Sequence, residues 1–481
     1  MSCTRTWLVT ALLLVAARAH SAAPVEASPS QGTTLSIYDA GYALVTENRR
    51  VNLVRGENEV VFRPVPATLD PASVSLAPLG GPVAVRLLDT RFEHDGASVE
   101  RLFARYVGRA ITVQDGVGTR EGELLAAPAR GGSFLLLDAG AGATRAVGLA
   151  GVREVVFPRA ATTAYLEPAL VGRVASAQEG LQNLRLGYLA HQVEWSAHHE
   201  VTVAPDGARA RFDTRVRVAN RSGSDFTEAR IKLITTARGQ ADAGSEDAAD
   251  LRFRYGGAEP VAAPQAVGLA PAQTYELGRP LTVRAGEVAF VPLAAAEQLA
   301  VTRFYVYDGV KFDRFPRNRR TDWNLGTVCQ NTVDTHLEFA NAKGSGLGQD
   351  LPPGRLRVLQ ARADGTVDFL GEDVLQATGT GAVGQVRVGP ARGLLGERER
   401  TGYTEIKPLH EYEETFAIRL TNLGEETVQV RVVEHLYRWS EFEITKADAE
   451  YVKTGPQRIE FRPELKAGGR RSLHYTVRYR W

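Results

Sequence analysis

Lysine, methionine and cysteine are the residues this 481-residue chain largely does without: seven Lys stand against 50 Arg, with one Met and two Cys. Two thiols exclude a disulfide-stapled scaffold and a Cys-rich zinc fold. An excess of charge is missing as well. Lys plus Arg number 57 and Asp plus Glu 56, a formal net charge of +1, so bulk attraction to nucleic acid or anionic lipid has no basis. Beyond the first two dozen residues no apolar run is long enough to cross a bilayer of about 30 Å as a helix. What the chain has instead is turn formers, with 47 Gly and 23 Pro, in a composition that is 44% hydrophobic and 23% charged. That is an ordinary globular balance, and the length suggests about three domains.

Residues 1–23 combine a basic start at Arg5, an apolar stretch from Trp7 to Ala17, and small-residue exits at Ala17-Arg18-Ala19 and Ser21-Ala22-Ala23. This is the pattern of a secretory signal peptide. Cys3 precedes the apolar stretch, so it is not the lipid-modified cysteine of a lipoprotein. Removal of the segment leaves Cys329 alone and predicts an exported protein without an intrachain disulfide. The simplest reading of Cys329 is a small buried hydrophobe.

Most of the remaining chain alternates with a period of two. Leu35 and Ile37, Ala43 and Val45, Val51 and Leu53, then Phe212, Thr214, Val216 and Val218 share faces, as do Leu337 with Phe339 and Val428, Val430, Val432. Asp-Gly pairs at Asp95, Asp115, Asp206, Asp308 and Asp364 stand between such runs, and glycine supplies the positive φ that tight hairpins need. Helical pattern is sparse, with short helices expected only at 176–187 and 293–300. A unit of strand, Asn, Gly-containing turn and strand recurs around Asn220, Asn341 and Asn422, as it does in immunoglobulin-like sandwiches. These patterns predict a mainly β protein. Its expected parts are a leader at 24–34, an N-terminal β region at 35–160 with a small barrel at about 101–158, a middle sandwich at 161–273 containing a flexible loop at 239–273, and a C-terminal sandwich at 274–481.

The motifs that invite chemistry fit it poorly. His191, Glu194, His198 and His199 nearly match a helical zinc pattern, but on a strand Glu194 and His198 point away from His199, and exposed strand histidines are the expected outcome. Gly379 to Gly384 reads G-x-G-x-x-G but leads into an alternating strand, where a dinucleotide site needs a helix. Glu372 and Asp373 are adjacent and belong to opposite faces of a strand. No catalytic residue, metal ligand or cofactor is expected. One basic stretch remains: Arg314, Arg317, Arg319 and Arg320 with Trp323, after the aromatic strand Phe304 to Tyr307. Guanidinium forks beside an aromatic would suit an anion.

Two longer stretches resemble a known family. Tyr188-Leu189, Trp195, Ala197, Asn220, Ser222, Gly223 and Ala229, followed by Gly346 to Val358 and Phe369 to Leu375, are similar in order to the bacterial domain of unknown function 4139. That domain also forms the C-terminal portion of mucoidy-inhibitor-like proteins, whose long coiled-coil insertion is absent here. Leu233 to Thr236 depart from the Leu-Val-Ala-Gly of relatives. The resemblance covers most of 35–481 and implies a fold neighbourhood, with no established catalytic residues to carry over.

The resulting expectation is an exported, non-catalytic envelope protein of the periplasm or cell surface. It would bind or space through sandwich modules, with an envelope protein or an anionic glycan as candidate partner. The alternatives are an envelope hydrolase with a cleft between domains and an outer-membrane barrel. The barrel is suggested by the alternating C-terminal Leu473, Tyr475, Val477, Tyr479 and Trp481.

Overall fold

The computed structural model describes residues 24–80, 85–128, 134–158, 165–235, 273–310 and 322–480. The expected signal peptide, nearly all of the 239–273 loop, and Arg314, Arg317, Arg319 and Arg320 lie outside them. Strand dominates, and among the described residues the one α-helix is Val99–Tyr106. The chain divides into two compact units. One takes residues 1–34, 44–191 and 222–228, and the other takes 35–43, 192–221 and 229–481.

In the first unit, Gly56–Phe62 and Ala169–Ser176 form the middle of a four-stranded sheet, with Val25–Glu26 and Val85–Glu93 at its edges. From Leu44 onward the strand Tyr42–Leu53 lies beside Gly180–His191, which pairs in turn with Leu69–Pro78. Buried Arg49 ties this unit together. It donates to Glu47 at 2.6 and 2.9 Å and to the carbonyls of Ser28, Arg63 and Pro64, so every side of the guanidinium is occupied.

Residues 110–156 form an antiparallel sheet of five strands whose two ends, Thr144–Gly148 and Val152–Val156, do not pair. The expected small barrel therefore does not close. The reason is the helix Val99–Tyr106, whose Phe103 and Tyr106 cover the apolar face made by Ile111, Val113, Leu124, Leu135 and Leu137. Ser98 caps it, accepting from the Arg101 N–H.

Residues 35–38, 229–235, 273–276 and 281–283 of the second unit belong to another sheet. Most of the second unit is one long sheet. Its order is Val367–Leu375, Gly354–Ala361, Val193–Val203, Arg209–Asn220, Val288–Asp308, Thr332–Ala340, Val383–Lys407, Glu411–Asn422, Arg470–Arg480 and Phe442–Ala447. It encloses two sandwich-like apolar cores. Val201, Phe212, Leu299, Phe339, Leu356 and Val386 belong to one, and Tyr307, Phe416, Ile418, Val432, Phe461 and Tyr475 to the other. The long strands Val288–Asp308 and Val383–Lys407 contribute to both cores.

Both expected helices are strands. Residues 180–191 alternate between buried and exposed positions, and the Ala-rich 293–300 stretch pairs with Arg209–Asn220, its strand running on at 301–307 against Thr332–Ala340. Ladder bonds along this continuous strand outweigh the helix preference of alanine. Asp-Gly pairs at 115, 206 and 364 make the expected hairpin turns, whereas Asp95-Gly96 opens a 3-10 turn ahead of the helix.

The alternating C-terminal strand faces protein. Leu473, Tyr475, Val477 and Tyr479 are buried in the second core, and none of the sheets of the described residues closes into a barrel. An outer-membrane strand would turn these aromatics to lipid, so the barrel alternative loses its support. No helix among the described residues is long and apolar enough to cross a membrane.

Candidate functional site

The recurring asparagines are structural. Asn341 is fully buried and donates to the carbonyls of Gln349, Thr378 and Gly379 at 2.8, 2.9 and 3.1 Å, while its oxygen accepts from the Gly348 N–H. Asn422 does the same for Glu426, Leu465 and Lys466, and Asn220 donates to Val283. Each side chain supplies polar partners to a loop that folds back over a core.

The histidine motif splits as its period demands. Val193, Trp195, Ala197, His199 and Val201 are buried, and Glu194 and His198 lie on the other face. His199 is not the exposed histidine expected from the pattern. Its ring is within 2.8 Å of the Thr214 hydroxyl and 3.0 Å of the Pro352 carbonyl, and burial pushes its pKa down to about 4. Among the described residues no group of three or more His, Cys, Asp or Glu is placed to hold a metal ion.

The glycine-rich stretch at 379–384 is a turn entering the strand Val383–Lys407, and the Thr380 N–H donates to Asp350. Glu372 and Asp373 diverge. Glu372 pairs with Arg355 and Arg357 at 3.1 and 3.0 Å, while Asp373 accepts from the Arg387 N–H at 2.7 Å. Cys329 is half-buried, with its Sγ 3.8 Å from Arg398. Of the expected anion loop, Trp323 is described and exposed, with the Arg400 guanidinium 5.9 Å from its ring.

The stretch Leu370-Gly371-Glu372-Asp373 has a packing reason of its own. A Cβ at Gly371 would overlap the Val388 carbonyl oxygen, so only glycine lets the hairpin 354–375 press against the strand Val383–Lys407. Gly354 is required in the same way beside the Ala197 carbonyl. This close approach makes one wall of an open groove of about 680 Å³. Its floor is the sheet face carrying Arg303, Tyr305, Thr335 and Leu337, and its walls bring Gln360, Arg362, Asp368 and Phe369 against Val388, Pro390 and Arg392.

Ladder irregularities near Thr335 and Gly389 accompany the opening, and a bulge there re-aims side chains. Arg387 turns inward to Asp334 at 2.9 Å, whereas Arg392 stays exposed. Arg362 pairs with Asp368. Arg303 and Arg392 have no ion pair among the described residues. Phe369 is 62% exposed, a flat apolar face beside two uncommitted guanidiniums. Sequence reasoning missed this groove because its residues come from six separated strands.

A second polar assembly lies inside the C-terminal core. Glu434 accepts from Arg398 at 2.8 and 3.0 Å and from the Tyr475 hydroxyl, and the Arg398 guanidinium sits 3.9 Å over the Phe416 ring. Glu414 accepts from Arg400 and from Arg438, each at 2.9 Å. Burial first, then the Glu434 charge, holds the Tyr475 hydroxyl far above its ordinary pKa. Both carboxylates are closed to solvent and saturated by donors, which suits support and leaves no room for a substrate.

The stretches that position the groove are those on which the resemblance rests. The family model for the domain of unknown function DUF4139 matches residues 184–481, well over half of the chain. The chain belongs to this family. None of the curated proteins matches it. In this DUF4139 chain, Gly354 and Gly371 allow close packing and Asp373 caps a neighbouring strand. His199 bonds to Pro352, so the motif of one strand holds the loop of another.

Proposed function

We propose that the protein is exported to the bacterial cell envelope and binds an anionic glycan there, without catalysis, through the groove between the 354–375 hairpin and the Val383–Lys407 strand. The observation that carries this reading is the pair Arg303 and Arg392, without an ion pair among the described residues, on the floor and wall of a groove that also exposes Phe369. Guanidinium forks bind carboxylates in two-point fashion, and an aromatic face stacks on a sugar ring. A volume of about 680 Å³ open to solvent suits a short run of a chain passing through. Export rests on the signal-like residues 1–23.

The absence of catalysis rests on chemistry. Among the described residues Asp368 is the one carboxylate lining the groove and is held by Arg362, whereas glycoside hydrolysis uses two carboxyl groups converging at about 5–10 Å.

Affinity electrophoresis in gels containing a polyuronate tests the binding. The parent should be retarded, and Arg303→Ser with Arg392→Ser should lose at least about tenfold in affinity. Retardation should fade between about 0.1 and 1 M salt, as the Debye length falls from about 10 to 3 Å. Equal retardation of parent and variant sinks the groove. A cell fractionation that finds the full-length chain in the cytoplasm sinks export.

A further inference from the structure

The outward face of the same strands carries a different arrangement. Register places His198 directly opposite Arg215 on one neighbouring strand and opposite Arg355 on the other. Adjacent strands lie about 4.8 Å apart, so two guanidinium-bearing positions flank one imidazole across roughly 10 Å. Like charges opposed across a sheet repel, and a fold tolerates them most readily where something neutralises them.

The carboxylates nearby are mostly committed. Glu372 serves both Arg355 and Arg357, Glu194 serves Arg217 at 3.4 Å, and Asp213 serves Arg211 at 2.7 Å. Arg215 has no ion pair among the described residues. Glu200, opposite Arg357 and Asp213, is the remaining carboxylate; it lies two residues along the strand from His198 and lines the same pocket, as does Asp213. The Phe290 ring meets His198 edge-on at 5.9 Å and closes one side. His198, Glu200, Asp213, Arg215, Phe290 and the arginines at 355 and 357 line a partly open pocket of about 250 Å³, too small for a polymer chain.

We propose that this pocket is a second anion site, which takes a single tetrahedral oxyanion, a phosphate or sulfate group, between Arg215 and Arg355 beside His198. The two guanidiniums supply fork donors, and the small volume suits a compact group better than an extended acid. The site does not depend on the groove, since Val203 and Gln360 reach the groove from the opposite faces of the same two strands. His198 adds a proton linkage. Burial, then Arg355, Arg217 and Arg357, lowers its pKa against the opposing pull of Glu372. A bound dianion reverses the balance and favours the imidazolium.

Calorimetric titration with sodium sulfate, whose charge is constant across the range, at pH 5.5 and pH 8 and fixed ionic strength tests this. Inorganic phosphate and a hexose phosphate serve as further arms, and the tighter of the two tells a free ion from a phosphate ester. Saturable binding should appear, and Arg215→Ser with Arg355→Ser should weaken it at least about tenfold. Glu200→Gln should strengthen it roughly threefold by removing a like charge. Binding should tighten from pH 8 to 5.5, and His198→Gln should abolish that tightening.

No saturable binding of sulfate or phosphate, or equal affinity in the double variant, overturns the proposal. Should the double variant unfold by circular dichroism, the Glu200→Gln gain and the His198→Gln pH effect decide. Failure here with retention on polyuronate intact removes this pocket alone.

Discussion

The C-terminal core and the wall of the groove are built with the same residue, arginine, and treat it in opposite ways. Arg398 and Arg438 are sealed among Phe416, Tyr437 and Tyr475 with their carboxylates within 3 Å. Arg303 and Arg392 stand in solvent beside Phe369. A buried guanidinium without its partner is far more costly than an exposed one, so core arginines come with dedicated acceptors. An exposed one is screened by water and salt, so leaving it uncommitted costs the fold little and keeps it available to a ligand. Arginine count alone therefore says nothing about binding, whereas burial and partner do.

The largest effect should come from breaking a buried pair. Glu434→Ala strands Arg398 and the Tyr475 hydroxyl in the core and should cost about 3–5 kcal/mol, read from the urea midpoint. Replacing both partners, Arg398→Met with Glu434→Leu, should recover most of the loss. If the double variant is as unstable as the single one, the account of a stranded charge is wrong.

Next comes pH. The folded pKa of His199 is about 4 against 6.5 for the free group, so the unfolded state binds more protons between those values. Its contribution to stability is complete above pH 6.5 and is lost as pH falls through about 4. The span is about 3 kcal/mol, an upper bound. Urea midpoints at pH 4.5 and 7 should differ less in His199→Gln than in the parent.

A smaller loss is expected for Asn341→Ala, which strands loop carbonyls and should cost about 2 kcal/mol in thermal or urea unfolding. Smallest of all, Arg303→Ser with Arg392→Ser should change stability by no more than about 0.5 kcal/mol while removing polyuronate binding. A large destabilisation there would place these arginines with the core set and end the contrast.

Legibility followed range along the chain. The alternation of Val193, Trp195 and Ala197 and the division of Glu372 from Asp373 needed only the two-residue period of a strand, and they hold. The turn asparagines were recognisable by spacing, although the carbonyls that Asn341 serves at 378 and 379 were not. The helix Val99–Tyr106 escaped because its apolar positions, Phe103 and Tyr106, are few and matter only against the sheet they cover. The 293–300 stretch is a strand because local alanine preference is a fraction of a kcal/mol per residue, less than the backbone ladder to Arg209–Asn220 and its continuation at 301–307. The candidate anion loop read from adjacent arginines falls outside the described residues except at Trp323. Neither the groove nor the 198–357 pocket is contiguous in sequence.

By itself the sequence determined the β class, the face each strand residue occupies, several of the hairpin turns and membership of the family, because each depends on short-range periodicity or on ordered motifs. Tertiary structure decided which arginines are buried, which carboxylates they meet, and where a groove opens. Those outcomes depend on which distant strands become neighbours. Arg398 meets Glu434, and Arg303 has no ion pair among the described residues, though each sits on an alternating strand. Strand pairing contributes the missing information, and with it the desolvation that turns one arginine into a support and leaves another for a ligand.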